Sequence, residues 1–176
     1  MIEEDFIDKV KKIKILLLDV DGVLTDGRII YDSRGLDSKF FDVHDGMGVY
    51  LLKKAGIPTI LITAKGSRAI RPRAKDMQVD CVYENISPKT SILEQILSKY
   101  KVKKDELCFV GDDLLDLGLM KKVGLPIAVA NACPEIKKQA GYITSREGGR
   151  GAVREVAELI LKTQGKWDEL IKIYDV

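Results

Sequence analysis

"ILLLDVDGVLTDG", residues 15–27, poses the question on which the fold turns. Four apolar residues run into Asp19, and Asp21 follows after one spacer, just before Gly22. A continuous apolar run that stops at a turn signal reads as a strand covered on both faces, the habit of parallel sheets. Its two carboxylates then stand at the rim of the sheet. Five further runs have the same character: 58–63 (PTILIT), 80–84 (DCVYE), 106–111 (ELCFVG), 125–130 (LPIAVA) and 141–144 (GYIT). Helical patterns fill the gaps at 45–56, 67–77, 88–100, 113–123 and 134–140, with a last helix at 150–164. Ser87 and Pro88 read as N-cap and first helical residue of the third, and Pro72 predicts a kink or a late start in the second. Strand–helix alternation predicts a doubly wound α/β fold, a mostly parallel six-stranded sheet in the order 3-2-1-4-5-6.

In that order strands 1 and 4 are neighbours, and ligands bind beyond their C-terminal ends. Strand 4 runs into "GDDLLD", which places Asp112, Asp113 and Asp116 beside Asp19 and Asp21. Carboxylates gathered so closely repel unless a cation sits among them. The oxygen-only donor set favours Mg2+, which takes one or two carboxylates together with waters and phosphate oxygens. Asp116, one helical turn past Asp112, is placed to orient the ligands, while Asp113 equally suits a helix start. Strand 2 ends at Thr63, followed by Lys65, and Lys89 opens the helix after strand 3, where free N–H groups favour an anion. A hydroxyl, ammonium groups and a metal around one phosphoryl group form an electrostatic clamp for phosphoryl transfer.

Segment 27–41, "GRIIYDSRGLDSKFF", breaks the alternation. Two strand-like halves flank Ser33-Arg34-Gly35, which predicts a β-hairpin flap. It carries Ile29, Ile30, Tyr31, Phe40 and Phe41, and so much apolar surface calls for a cover, expected from a partner subunit. No interval between motifs is long enough for a large cap domain. The 176 residues are expected to form one domain, 1–176, with the hairpin at 27–41 and a C-terminal tail at 165–176.

The net charge is +2 with both signs interspersed, which argues against a nucleic-acid or membrane surface as partner. "MIEEDFIDKVKK" reads as an amphipathic lead-in helix rather than a signal peptide, and no apolar run approaches the ~20 residues that span a bilayer. A cytoplasmic protein is expected. Cys81, Cys108 and Cys133 show no CxxC spacing, and the first two are expected as buried thiols.

Together, "DVDGVLTDG", Thr63, Lys89 and "GDDLLD" resemble the four ordered motifs of the haloacid dehalogenase-type phosphatases. The hairpin, "FFDVHDGMG" at 40–48 and "GGRGAVREV" at 148–156 extend the likeness over nearly the whole chain, to the 3-deoxy-D-manno-octulosonate 8-phosphate phosphatase family. The resemblance implies that Asp19 is the nucleophile and Asp21 the general acid and then base. It implies metal ligation by Asp19 and Asp112 through their side chains and by Asp21 through its backbone carbonyl. A carboxylate bound to the ion would be too acidic to donate a proton, so the side chain of Asp21 has to stay off it. Thr63 and Lys89 would hold the phosphoryl group, and Asp42, Val43, His44, Asp45, Gly46, Lys65 and Arg73 match substrate-contacting positions. Two departures concern the substrate: Lys65 and Tyr50 stand where relatives usually carry arginine, and lysine loses bidentate recognition of an anion.

The implied reaction is Mg2+-dependent hydrolysis of the sugar-acid phosphate in lipopolysaccharide precursor synthesis, by a homotetramer. Arg150 and the tail would close over a site, either their own or a neighbour's. Three alternatives stay open: a phosphatase for a related nine-carbon keto-deoxy sugar phosphate, a receiver-like phosphoacceptor, and a silent oligomerisation domain.

Overall fold

The computed structural model describes residues 2–174. Strand β1 (Ile15–Leu18) is buried at all four positions and pairs in parallel with β4 (Thr59–Ile62) on one side and β6 (Leu107–Gly111) on the other. With β5 (Cys81–Tyr83), β7 (Leu125–Ala128) and β8 (Tyr142–Ile143), the sheet runs β5-β4-β1-β6-β7-β8, every pairing parallel. This is the order expected from the alternation. The strands read as unbroken apolar runs because helices cover both faces, and Leu16, Leu17, Ile60, Ile62, Phe109 and Val110 are completely buried. Burial on that scale contributes roughly 1.5–3 kcal/mol per large side chain.

Segment 27–41 forms the two-stranded hairpin, β2 (Ile30–Tyr31) against β3 (Asp37–Ser38), antiparallel. Its turn is built by Asp32, whose carboxylate accepts the N–H groups of Arg34 at 2.8 Å and Leu36 at 2.9 Å. The remaining layers are α1 (Ile2–Lys12), α2 (Val43–Lys54), α3 (Ile70–Asp76), α4 (Leu93–Tyr100), α5 (Leu117–Met120), α6 (Pro134–Gln139), α7 (Ala152–Thr163) and α8 (Trp167–Ile171). Helices α2 and α7 pack side by side.

One helix start follows its expectation, the late start that Pro72 predicts, and others depart. Helix α3 begins late, which leaves Pro72 in its first turn, where a missing N–H costs nothing. Ser87 is not a cap: Pro88 is extended (ψ 148°), a 3-10 turn covers Lys89–Ile92, and the α-helix begins at Leu93. The run expected at 113–123 divides into a 3-10 turn at Leu114–Asp116 and the short α5, with Asp113 capping the turn by accepting the Leu114 N–H at 2.8 Å. Cys108 is buried, but Cys81 lies half-buried because β5 is an edge strand, and all three cysteines are free. Among the described residues no helix is long and apolar enough to cross a membrane.

Candidate active site

Parallel register brings the candidate residues to one rim. Leu18 pairs with Leu61 and with Val110, so Asp19, Thr63 and Asp112 follow within two residues of the same level. Past Asp19 the chain coils tightly: the Val20 carbonyl accepts from the N–H groups of Leu24 and Thr25 at 2.9 and 3.1 Å. The Thr25 hydroxyl accepts from Gly22 and Gly27, each at 3.2 Å. Gly22 has φ +89°, and a Cβ there would lie 1.9 Å from Asp112 Oδ2. The glycine after Asp21 therefore lets the β1 loop come against the carboxylate carried by β6.

A cavity of about 240 Å3 opens at this rim, and Asp19, Asp21, Thr63, Lys65, Lys89, Asp112, Asp113 and Asp116 all line it. Lys89 is only 2% exposed and places Nζ 2.6 Å from Asp19 Oδ1 and 2.5 Å from Asp116 Oδ1. The other oxygen of Asp116 accepts the Asp112 N–H at 2.9 Å. Both oxygens of Asp116 thus serve protein donors, and the side chain braces Lys89 and Asp112 together. Thr63 ties off the end of β4: its hydroxyl donates to the Lys65 carbonyl at 3.0 Å and accepts the Lys65 N–H at 3.2 Å. Lys65 reaches up to the hairpin and donates to the Tyr31 hydroxyl at 2.8 Å.

Oxygens of Asp19, Asp112 and Asp116 all lie within 4.8 Å of one another. Burial, and after it the charge of Asp116, pushes Asp19 up to about 7 against the pull of Lys89. Burial and then the charges of Asp19, Asp116 and Asp113 push Asp112 up to about 7. Burial opposes the Lys89 ammonium too, but Asp19 and Asp116 outweigh it and hold Lys89 above the usual lysine range. Three carboxylates face one ammonium, and Asp19 and Asp112 are left without enough positive charge. An oxygen-only set with this excess fits a hard divalent cation of the magnesium type.

Of the matched substrate positions Lys65 lines this cavity, and the others lie elsewhere. Asp42, Val43 and His44 line a second cavity of about 560 Å3, together with Asp26, Arg28, Phe40, Phe41 and Arg150. The two cavities back onto each other at one turn, with Asp26 in one and Gly27 in the other. Asp42 caps α2, accepting the His44 N–H at 2.7 Å. The Asp45 side chain is committed to the fold. It is 0% exposed, and its carboxylate accepts the N–H groups of Gly151 at 3.3 Å and Arg154 at 2.9 Å, capping α7. Gly46 and Arg73 form one buttress. A Cβ on Gly46 would lie 2.5 Å from Arg73 Nη2, which donates to the Asp42 carbonyl at 2.7 Å. Arg73 thus holds the start of α2 and does not line the catalytic cavity.

A family model of haloacid dehalogenase-like hydrolases matches residues 75–155. The 3-deoxy-D-manno-octulosonate 8-phosphate phosphatase of Escherichia coli (strain K12) is 39% identical over 168 residues, which is 96% of this chain and 89% of that protein. The chain belongs to the 3-deoxy-D-manno-octulosonate 8-phosphate phosphatase family. A crystal structure of such a phosphatase from Moraxella catarrhalis, in complex with magnesium ion, phosphate ion and KDO, superposes with a TM-score of 0.94 at 38% identity, covering 97% of this chain and 98% of that one. The cobalt-bound form of the Haemophilus influenzae phosphatase superposes at 0.86 with 34% identity, covering 90% and 92%.

Sequence reasoning missed Lys39. This hairpin residue places Nζ 2.5 Å from Asp21 Oδ1, and its side chain is only 4% exposed. Arg150 lies 3.7 Å from Asp26 at the second cavity. Tail residues 165–174 pack on α7, with Trp167 beneath Arg154 and Lys162, and do not line the catalytic cavity. Residues 175–176 lie outside the described residues.

Proposed function

We propose that this chain is a magnesium-dependent phosphatase that hydrolyses 3-deoxy-D-manno-octulosonate 8-phosphate to 3-deoxy-D-manno-octulosonate and phosphate. The observation that carries the reading is the convergence of Asp19, Asp21, Thr63, Lys89 and Asp112 on one small cavity. The extent of the likeness to phosphatases of that name supports the substrate, and with it a place in lipopolysaccharide precursor synthesis.

Asp19 is the nucleophile in this reading. Lys89 holds Asp19 Oδ1, which orients the carboxylate, and Asp19 attacks phosphorus as the bond to the sugar oxygen breaks. Asp21 gives its proton to that oxygen. It then takes a proton from the water that attacks the phosphoaspartate and frees Asp19. Thr63 and Lys89 hold the phosphoryl group, and Asp116 braces Lys89. The Asp19 and Asp112 carboxylates and the Asp21 main-chain carbonyl would hold magnesium, whose charge supports the phosphoryl oxygens in the transition state.

Residues 1–176 act as one catalytic unit in a cytoplasmic homotetramer. The cavity of about 240 Å3 gives the phosphoryl group its place and opens at the rim, beyond which the sugar acid extends. Ile29, Tyr31, Phe40 and Val43 are exposed on the hairpin and the start of α2, with Phe40 at 68%. Another copy pressed on that face would bury them and bring its own 42–44 surface towards the sugar.

Phosphate release from 3-deoxy-D-manno-octulosonate 8-phosphate, measured with magnesium and with excess chelator, tests the reading. Multiple turnovers that stop on chelation are expected. Faster release from the nine-carbon homologue would reassign the substrate. A single slow turnover would favour a phosphoacceptor.

A further inference from the structure

The hairpin brings a buried ammonium against Asp21, which lines the catalytic cavity. Lys39 follows β3 and its side chain is 4% exposed, although the hairpin around it is largely open to water. Its Nζ lies 2.5 Å from Asp21 Oδ1 and 3.4 Å from Asp37 Oδ2. Asp37 is itself fixed, since the Ser67 hydroxyl donates to its Oδ1 at 3.1 Å. A polar chain thus runs from the loop beyond β4 through Asp37 and Lys39 to Asp21. Lysine keeps its long stem mobile unless such partners hold it, so this arrangement is a fixed one.

We infer that Lys39 is a positioning residue for the general acid, and that the hairpin orients Asp21. The inference rests on the role proposed for Asp21. Lys39 can only donate, so the oxygen it faces, Oδ1, has to remain an acceptor. The transferable proton is then confined to Oδ2. In the first step Asp19 bonds to phosphorus, the bond from phosphorus to the sugar oxygen breaks, and the proton on Asp21 Oδ2 passes to that oxygen. In the second step water bonds to phosphorus, the Asp19–phosphorus bond breaks, and the water proton returns to Oδ2. Without Lys39 the carboxyl group could rotate or carry its proton on either oxygen, and fewer encounters would be productive.

The test exploits the leaving group. A sugar alkoxide needs a proton as it departs, whereas p-nitrophenolate does not. The readout is kcat/KM, which reports the steps up to the phosphoaspartate, for Asp21→Asn, Lys39→Met and Lys39→Arg on both substrates. Asp21→Asn is expected to lose on the order of 10²–10³-fold on the sugar phosphate and far less on p-nitrophenyl phosphate. Lys39→Met should show the same selectivity at about 10–100-fold, with Lys39→Arg recovering part of it. Magnesium affinity by calorimetry should be preserved in both Lys39 variants, since Lys39 touches no carboxylate assigned to the ion. Equal losses on the two substrates for Lys39→Met, beside a selective loss for Asp21→Asn, would overturn the inference and leave the proposed reaction standing. An unselective Asp21→Asn would remove Asp21 as the acid and this inference with it. A fall in magnesium affinity in Lys39→Met would likewise overturn the positioning role in favour of a general structural one.

Discussion

The two cavities that meet at Asp26 and Gly27 are built in opposite ways. The smaller stands on strand ends: Asp19, Thr63 and Asp112 are each within two residues of a buried parallel strand, so their backbone positions are set by the sheet. The larger stands on a hairpin, a helix start and the 148–151 turn, and its residues are mostly exposed. Rigid elements carry the residues proposed for the chemistry, and surface segments carry those proposed to face the rest of the substrate. The lesson is energetic as well as geometric. The inner cavity concentrates like charge in a low-dielectric rim, which is destabilising until an ion or a phosphoryl group is bound. The outer cavity stores no comparable strain.

Substituting the inner cavity should have the largest effect. Asp19→Asn removes the proposed nucleophile while keeping its size. Turnover is expected to fall by on the order of 10⁴-fold or more, on sugar and aryl phosphates alike, because no leaving group escapes the need for a nucleophile. No phosphoprotein should be trapped by acid quench. A trapped phosphoryl group in that variant would place the nucleophile elsewhere and undo the contrast between the two cavities.

Next in size is the dependence on pH and cation. In the folded protein Asp19 and Asp112 sit at about 7, against 3.8 for an ordinary aspartate. The folded state therefore binds these protons more tightly than the unfolded chain does. Stability of the chelated protein should fall as pH rises from about 4 through about 7, since each carboxylate must ionise in its buried place. Magnesium replaces the protons and reverses the loss, so its gain in Tm should be much larger at pH 8 than at pH 5. Thermal melts in chelator and in magnesium at both pH values check this. An equal gain at both would detach the ion from the acidic cluster.

How legible this was follows from the same division. The sheet order and the rim residues could be read because each apolar run stops at its C-terminal end on a polar residue: Asp19, Thr63, and Asp112 after Gly111. Lys39 could not be read from periodicity, since two-residue strands such as β2 and β3 give too little of it. A weaker signal existed. A lysine beside Phe40 and Phe41, on a hairpin that leaves directly from the acidic loop, has few places to put its charge except back over that loop. The capping role of Asp45 could not be read for another reason: its partners, Gly151 and Arg154, are more than a hundred residues away, and nothing in the local spacing announces a cap for a distant helix.

The smallest expected effect bears on that cap. Asp45 joins the start of α2, under the outer cavity, to the N-terminus of α7. Asp45→Ala leaves two helix N–H groups without their acceptor and should cost about 1–3 kcal/mol. Asp45→Asn keeps one acceptor oxygen and should cost less. Burial pushes Asp45 up to about 6, partly offset by the N–H groups of Arg154 and Gly151. The wild type must therefore ionise a buried acid as pH rises from about 4 through 6 and loses stability over that window, whereas asparagine does not. The penalty of Asp45→Asn should shrink between pH 4.5 and pH 7.5, by about 1 kcal/mol or more, in urea denaturation. KM for the sugar phosphate in Asp45→Asn should track the folded fraction alone. A rise in KM with full folding would make Asp45 a substrate contact as well as a cap and move the boundary of the outer cavity inward, beneath the backbone of α2.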